Sequence, residues 1–113
     1  ETIASIEYAV ANLDSVKAII VLGHEDCGAV KAAMAKPADL GYNLNQLLHQ
    51  IRPGLGNTKQ VTKAVENNAV YQAEQLIANS EIVQKALKKV PVIPAIYRIK
   101  TGEVDYLEMP KKK

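Results

Sequence analysis

The sequence contains no tryptophan, no phenylalanine and one cysteine in 113 residues. Each shortage closes off a class of function. With its five tyrosines scattered and the other large aromatics absent, the chain lacks the interleaved aromatic and basic surface on which single-stranded nucleic acid stacks. Nucleic acid is therefore not an expected partner. A lone Cys excludes an intrachain disulfide and fits a reducing compartment, so the expected location is cytoplasmic. No apolar run approaches the ~20 residues that span a bilayer, and no charged start leads into an apolar stretch, so neither a membrane partner nor a signal peptide is expected. A strong charge of one sign is missing too: the formal net charge is +2, and much of it comes from the run Lys111, Lys112 and Lys113, which reads as a solvated tail.

What remains is an ordinary globular balance, 48% hydrophobic and 23% charged, in a length that suits a single domain over residues 1–113. The chain opens at Glu1, without Met and inside a helical pattern, so the expectation is a domain whose N-terminal part was removed or lies on another polypeptide.

Ile3, Ile6, Val10 and Leu13 recur at three- and four-residue spacing, the mark of an amphipathic helix, which Asn12 and Asp14 close. Lys17 to Gly23 is a short apolar run rich in β-branched residues, which predicts a parallel strand buried on both faces. Small and helix-favouring residues from Cys27 to about Ala35 predict a helix that Pro37 stops. Leu44, Leu47, Leu48 and Ile51 form a further stripe before Pro53, Gly54 and Gly56, and Val61, Val65, Ala69, Ala73 and Leu76 mark a long helix. Ser80 is placed to cap a short helix that ends before Pro91. Val92 to Ile99, the turn Lys100 to Glu103 and the alternation through Val104 and Tyr106 predict a C-terminal hairpin. The fold class is therefore α/β, helices interleaved with a strand.

Chemistry concentrates in Gly23-His24-Glu25-Asp26-Cys27-Gly28-Ala29-Val30, where the strand gives way to a helix. Open α/β sheets hold their ligands outside the carboxyl ends of the strands. There His24 would project from the strand end and Cys27 would open the helix, with Asp26 as its N-cap and Gly28 allowing close backbone approach. Imidazole with thiolate suits zinc, and a helix N-terminus favours the thiolate. The spacing alone equally fits a His satisfied by backbone beside a Cys acting as a small hydrophobe. His49, the other His, lies off its helix's apolar stripe and reads as solvent-facing; Glu25 and Asp26 are weaker candidates for a fourth zinc position.

Ser5-Ile6-Glu7-Tyr8-Ala9-Val10, Ile19 to His24, Cys27 to Ala33, and Ala95-Ile96-Tyr97 with Thr101-Gly102-Glu103-Val104 together resemble the zinc-binding and closing segments of β-class carbonic anhydrases. The resemblance implies a mainly parallel sheet flanked by helices, a C-terminal hairpin, and His24 and Cys27 as zinc ligands. It also implies a homo-oligomer, dimer or higher. The implied reaction is reversible hydration of carbon dioxide to bicarbonate, zinc lowering the pKa of water from ~15.7 to about 7. The family's Cys-x-Asp-x-Arg motif, which supplies the other protein ligand and the Asp–Arg pair beside the metal, has no counterpart in this chain. No catalytic residue is therefore assigned here, and the missing Cys is expected on a segment upstream of Glu1 or on another chain. These residues alone are expected to be inactive. Two other functions stay open: a non-catalytic scaffold or regulatory module of the same fold, and a related zinc hydrolase acting on another small heterocumulene.

Overall fold

The computed structural model describes residues 1–110, so the terminal lysine run and its reading as a solvated tail lie outside the described residues. In chain order the elements are α1 (Thr2–Asn12), β1 (Ile19–His24), α2 (Gly28–Met34) and α3 (Tyr42–Ile51), which runs into a 3₁₀ turn (Arg52–Gly54). They are followed by α4 (Val61–Asn79), α5 (Glu81–Ala86), β2 (Val92–Tyr97) and β3 (Val104–Tyr106). Every element expected from periodicity is present, and the fold is α/β around a small mixed sheet.

The sheet has the order β1-β2-β3. β1 and β2 are parallel, with Ile19 opposite Val92 and His24 opposite Tyr97. β2 and β3 are antiparallel, the hairpin the turn residues predicted. Gly102 takes φ 76° in that turn, a conformation that costs glycine little because it has no Cβ. The parallel pair needs a long crossover, and the stretch from α2 to α5 supplies it.

α4 organises the core. Its stripe of Ala64, Val65, Ala69, Ala73 and Leu76 is buried, and the small members let the helix lie close to the sheet. Closeness also sets the residue on β1: a Cβ at Gly23 would stand 3.0 Å from Ile96 Cδ1 and 3.4 Å from Val65 Cγ1. One buried group joins this stripe to Val30 and Ala33 of α2, Leu48 and Ile51 of α3, and Ile96 of β2. A second joins Ala73 and Leu76 to Val83 of α5 and Val92, with Ile6, Ile19 and Val21 packed against it. Ser80 caps α5 as expected: its Oγ accepts from Val83 N at 3.2 Å, while its hydroxyl donates to Glu7 Oε2 at 2.6 Å.

One expectation is corrected here. β1 is not covered on both faces. Ile19, Val21 and Gly23 turn toward α4, whereas Ile20 and Leu22 are 43% and 56% exposed on the other face. The physical reason is that the crossover helices pack on the α4 side. The apolar stripe of α4 finds its cover within the chain. That of α1 does so in part, with Ile6 packed against the second group, and α1 has no fully buried residue.

Candidate metal-binding turn

The site is built where β1 ends. Glu25 N donates to Tyr97 O at 3.1 Å, carrying the parallel ladder one residue past His24. Asp26 then takes φ 55°, a left-handed conformation that few residues other than Gly, Asn and Asp accept, and the chain reverses into α2. Cys27, not Asp26, is the N-cap of that helix: its carbonyl receives Lys31 N at 3.0 Å. Asp26 instead forms an ion pair with Lys31. The Lys31 ammonium, by hydrogen bond first and charge second, holds the Asp26 carboxyl below the usual carboxylate range.

His24 is exposed and closes β1; Cys27 is half-buried against the Val30 and Ala33 group. His24 Nδ1 lies 2.9 Å from Glu25 O. A carbonyl accepts only, so in the neutral imidazole Nδ1 carries the proton and Nε2 keeps the free lone pair, the arrangement by which a backbone carbonyl orients a ligand imidazole. Gly28 has open space where a Cβ would be, so the close approach expected there is not needed within these residues.

Arg98 was not legible as a site residue. It follows β2 directly and is largely withdrawn from solvent. Its Nε lies 2.7 Å from Asp105 Oδ2, one terminal nitrogen 3.3 Å from Glu66 Oε2 and the other 3.8 Å from Glu25 Oε2. One guanidinium thus ties β3, α4 and the turn between His24 and Cys27 together, and its bond to Asp105, ahead of that to Glu66, pushes its pKa further up. The only sequence signal was an unusual acid, Glu25, inside the turn. Glu25 and Asp26 each face a cation, Arg98 and Lys31 respectively. His49 is exposed on α3, as read.

The donor types fit zinc, with the fit limited to two donors. Among the described residues no group of three His, Cys, Asp or Glu side chains could hold a metal. No described helix is long and apolar enough to cross a membrane.

The family model described as carbonic anhydrase matches residues 1–104. The fold recurs in a tetrameric β-carbonic anhydrase of the ascomycete Sordaria macrospora, 23% identical, with TM-score 0.77 over 98% of this chain and 61% of that one. It recurs in the Coccomyxa β-carbonic anhydrase solved with acetazolamide, 28% identical, with TM-score 0.74 over 92% of this chain and 52% of that one. The CafA enzyme of Aspergillus fumigatus is 24% identical, with TM-score 0.73 over 96% and 56%. A search of curated proteins finds no match. The α/β fold with its turn at the end of a parallel strand is thus that of a β-carbonic anhydrase, and the chain belongs to that family. It spans between half and two thirds of the length of these solved relatives.

Proposed function

We propose that this chain contributes His24 and Cys27 to the zinc site of a protein that reversibly hydrates carbon dioxide to bicarbonate. The remaining protein ligand would come from polypeptide outside these residues. One observation carries the reading: an imidazole with its Nε2 free and a thiol at a helix N-cap share one strand-to-helix turn at the carboxyl end of a parallel pair. Zinc, held by such donors, supplies the Lewis acidity that makes water nucleophilic near neutral pH. The chain's own part is positional. Glu25 O keeps the proton on His24 Nδ1, Arg98 holds the turn against α4 and β3, and the strained Asp26 sets the path that brings Cys27 back to the sheet end.

The open side of β1 supports the incomplete state of the site. Among the described residues β1 pairs only with β2, so beside His24 it offers a free edge on which a further strand could pair, and its exposed Ile20 and Leu22 need cover. A homo-oligomer, as named for the tetrameric Sordaria enzyme, forms part of this reading. The test measures zinc content and carbon dioxide hydration for the 113 residues alone and for a protein that adds a Cys-x-Asp-x-Arg segment. Zinc and activity only in the longer protein are expected. A longer protein without either would end the proposal.

A second reading, a non-catalytic module of the same fold, is favoured by the lack of a third donor among the described residues. A longer protein that binds zinc stoichiometrically yet leaves hydration at the uncatalysed rate would establish it.

A further inference from the structure

A cleft of about 580 Å³ opens between the C-terminal end of α2, the 3₁₀ turn and the start of α4. Lys31, Arg52 and Lys59 line it, and no carboxylate does. Arg52 is half-buried, and its Nε donates to Ala33 O at 3.3 Å. That bond fixes the plane of the guanidinium. Its terminal nitrogens have no protein acceptor among the described residues, and neither has the ammonium of Lys59. Lys31 is shared with Asp26. Arg52 and Lys59 thus bring two unpaired positive charges to one concavity, with the ion-paired Lys31 beside them, and no carboxylate on its wall offsets them.

The same wall holds the start of α4. This helix of 19 residues has no side-chain cap from Gln60 and no acid in its first turn. Thr58 Oγ1 accepts from Gln60 N at 3.1 Å, which leaves the N–H groups of Val61, Thr62 and Lys63 without an acceptor among the described residues. Val61 lines the cleft itself. Unpaired N–H groups and the positive end of the helix favour an anion, and the cations around them are independent of that helix.

We propose that this cleft binds a multiply charged oxyanion of the phosphate class, held by Arg52, Lys59, Lys31 and the N–H groups that open α4. The guanidinium offers paired donors to two oxygens, the geometry in which Arg binds phosphate. The volume exceeds that of a bare phosphate and falls in the range of small-molecule pockets, so the natural ligand is a phosphorylated small molecule. Neither His24 nor Cys27 lines the cleft, so its test and that of the carbon dioxide reading can fail separately.

The experiment titrates the ¹⁵N-labelled full chain with sodium phosphate at constant ionic strength, following the amides of Val61, Thr62 and Lys63. Saturable shifts confined to α4's first turn and the 3₁₀ turn are expected, with bicarbonate, a single charge, binding more weakly. Lys59→Gln, at an exposed position without contacts that hold the fold, is expected to weaken phosphate several-fold. Arg52→Gln, which removes the paired donors, is expected to weaken it about ten-fold or more. Shifts that chloride reproduces, a phosphate response unchanged in Lys59→Gln, or bicarbonate bound more tightly than phosphate would each overturn the proposal.

Discussion

The two faces of β1 differ by one residue in register and by almost everything in environment. Ile19, Val21 and Gly23 face α4, and a Cβ at the last would stand 3.0 Å from Ile96 Cδ1 and 3.4 Å from Val65 Cγ1, whereas Ile20 and Leu22, with the same apolar character, stand in the open. The difference teaches where the chain is self-sufficient. One side of the sheet is a finished core. The other is a surface whose composition anticipates cover, and His24 lies on it at the strand's end.

Substitutions on the two faces should separate accordingly. Ile96, fully buried against α4, should be the most costly: Ile96→Ala is expected to lose about 2–5 kcal/mol through lost burial and the cavity left behind, measured by urea unfolding of the chain. A loss under about 1 kcal/mol would mean that the finished face is poorly packed. Ser80→Ala is expected to cost about 1–2 kcal/mol, since it removes a helix cap and leaves Glu7 Oε2 without its donor. Leu22→Ser on the open face should change the stability of the isolated chain by no more than about 0.5 kcal/mol. In a longer or oligomeric form that covers the face, the same change should destabilise by more than about 1 kcal/mol. Equal effects in both forms would show that the face stays bare.

The contrast also explains what the sequence could and could not reveal. Element order was legible because the three- and four-residue spacing of Val61 to Leu76 and the β-branched run at Ile19 to Leu22 are local signals, and so were the Ser80 cap and the Gly102 turn. The run at Ile19 predicted burial on both faces, but hydrophobicity records the environment of a finished assembly, and that of these residues leaves one face bare. His24 and Cys27 were legible as a pair because their spacing is local. Arg98 was not, since its meaning lies in three carboxylates from β3, α4 and the turn, which only the tertiary fold brings together. Asp26 was misassigned as a cap because its conformation, with φ 55°, is set by the reversal into α2 and has no sequence signature beyond a tolerance for that region. The cationic cleft went unseen for a similar reason: only the fold brings Lys31 of α2 to the same concavity as Arg52 and Lys59.

The smallest expected effect belongs to neither face. Asp39 Oδ1 accepts from Gly41 N at 3.0 Å and from Asn45 Nδ2 at 3.2 Å, and these bonds, the backbone one first, hold its carboxyl below the usual carboxylate range. Asp26 is lowered likewise by Lys31. A carboxyl with a depressed folded pKa favours folding above its unfolded value, and that contribution is lost as pH falls through the folded one. Stability should therefore decline in acid, below the ordinary carboxylate range, and remain level with respect to these two groups through neutral pH. Asp39→Asn keeps an acceptor for Gly41 but cannot ionise, so its unfolding midpoint should fall less in acid than that of the unsubstituted chain. Ile96→Ala, lower in stability throughout, should show the same acid decrement as the unsubstituted chain, because neither carboxylate bonds to a partner that Ile96 shares and effects at such sites add. A decrement that shrinks in Ile96→Ala would instead couple the polar periphery to the packed face of the sheet.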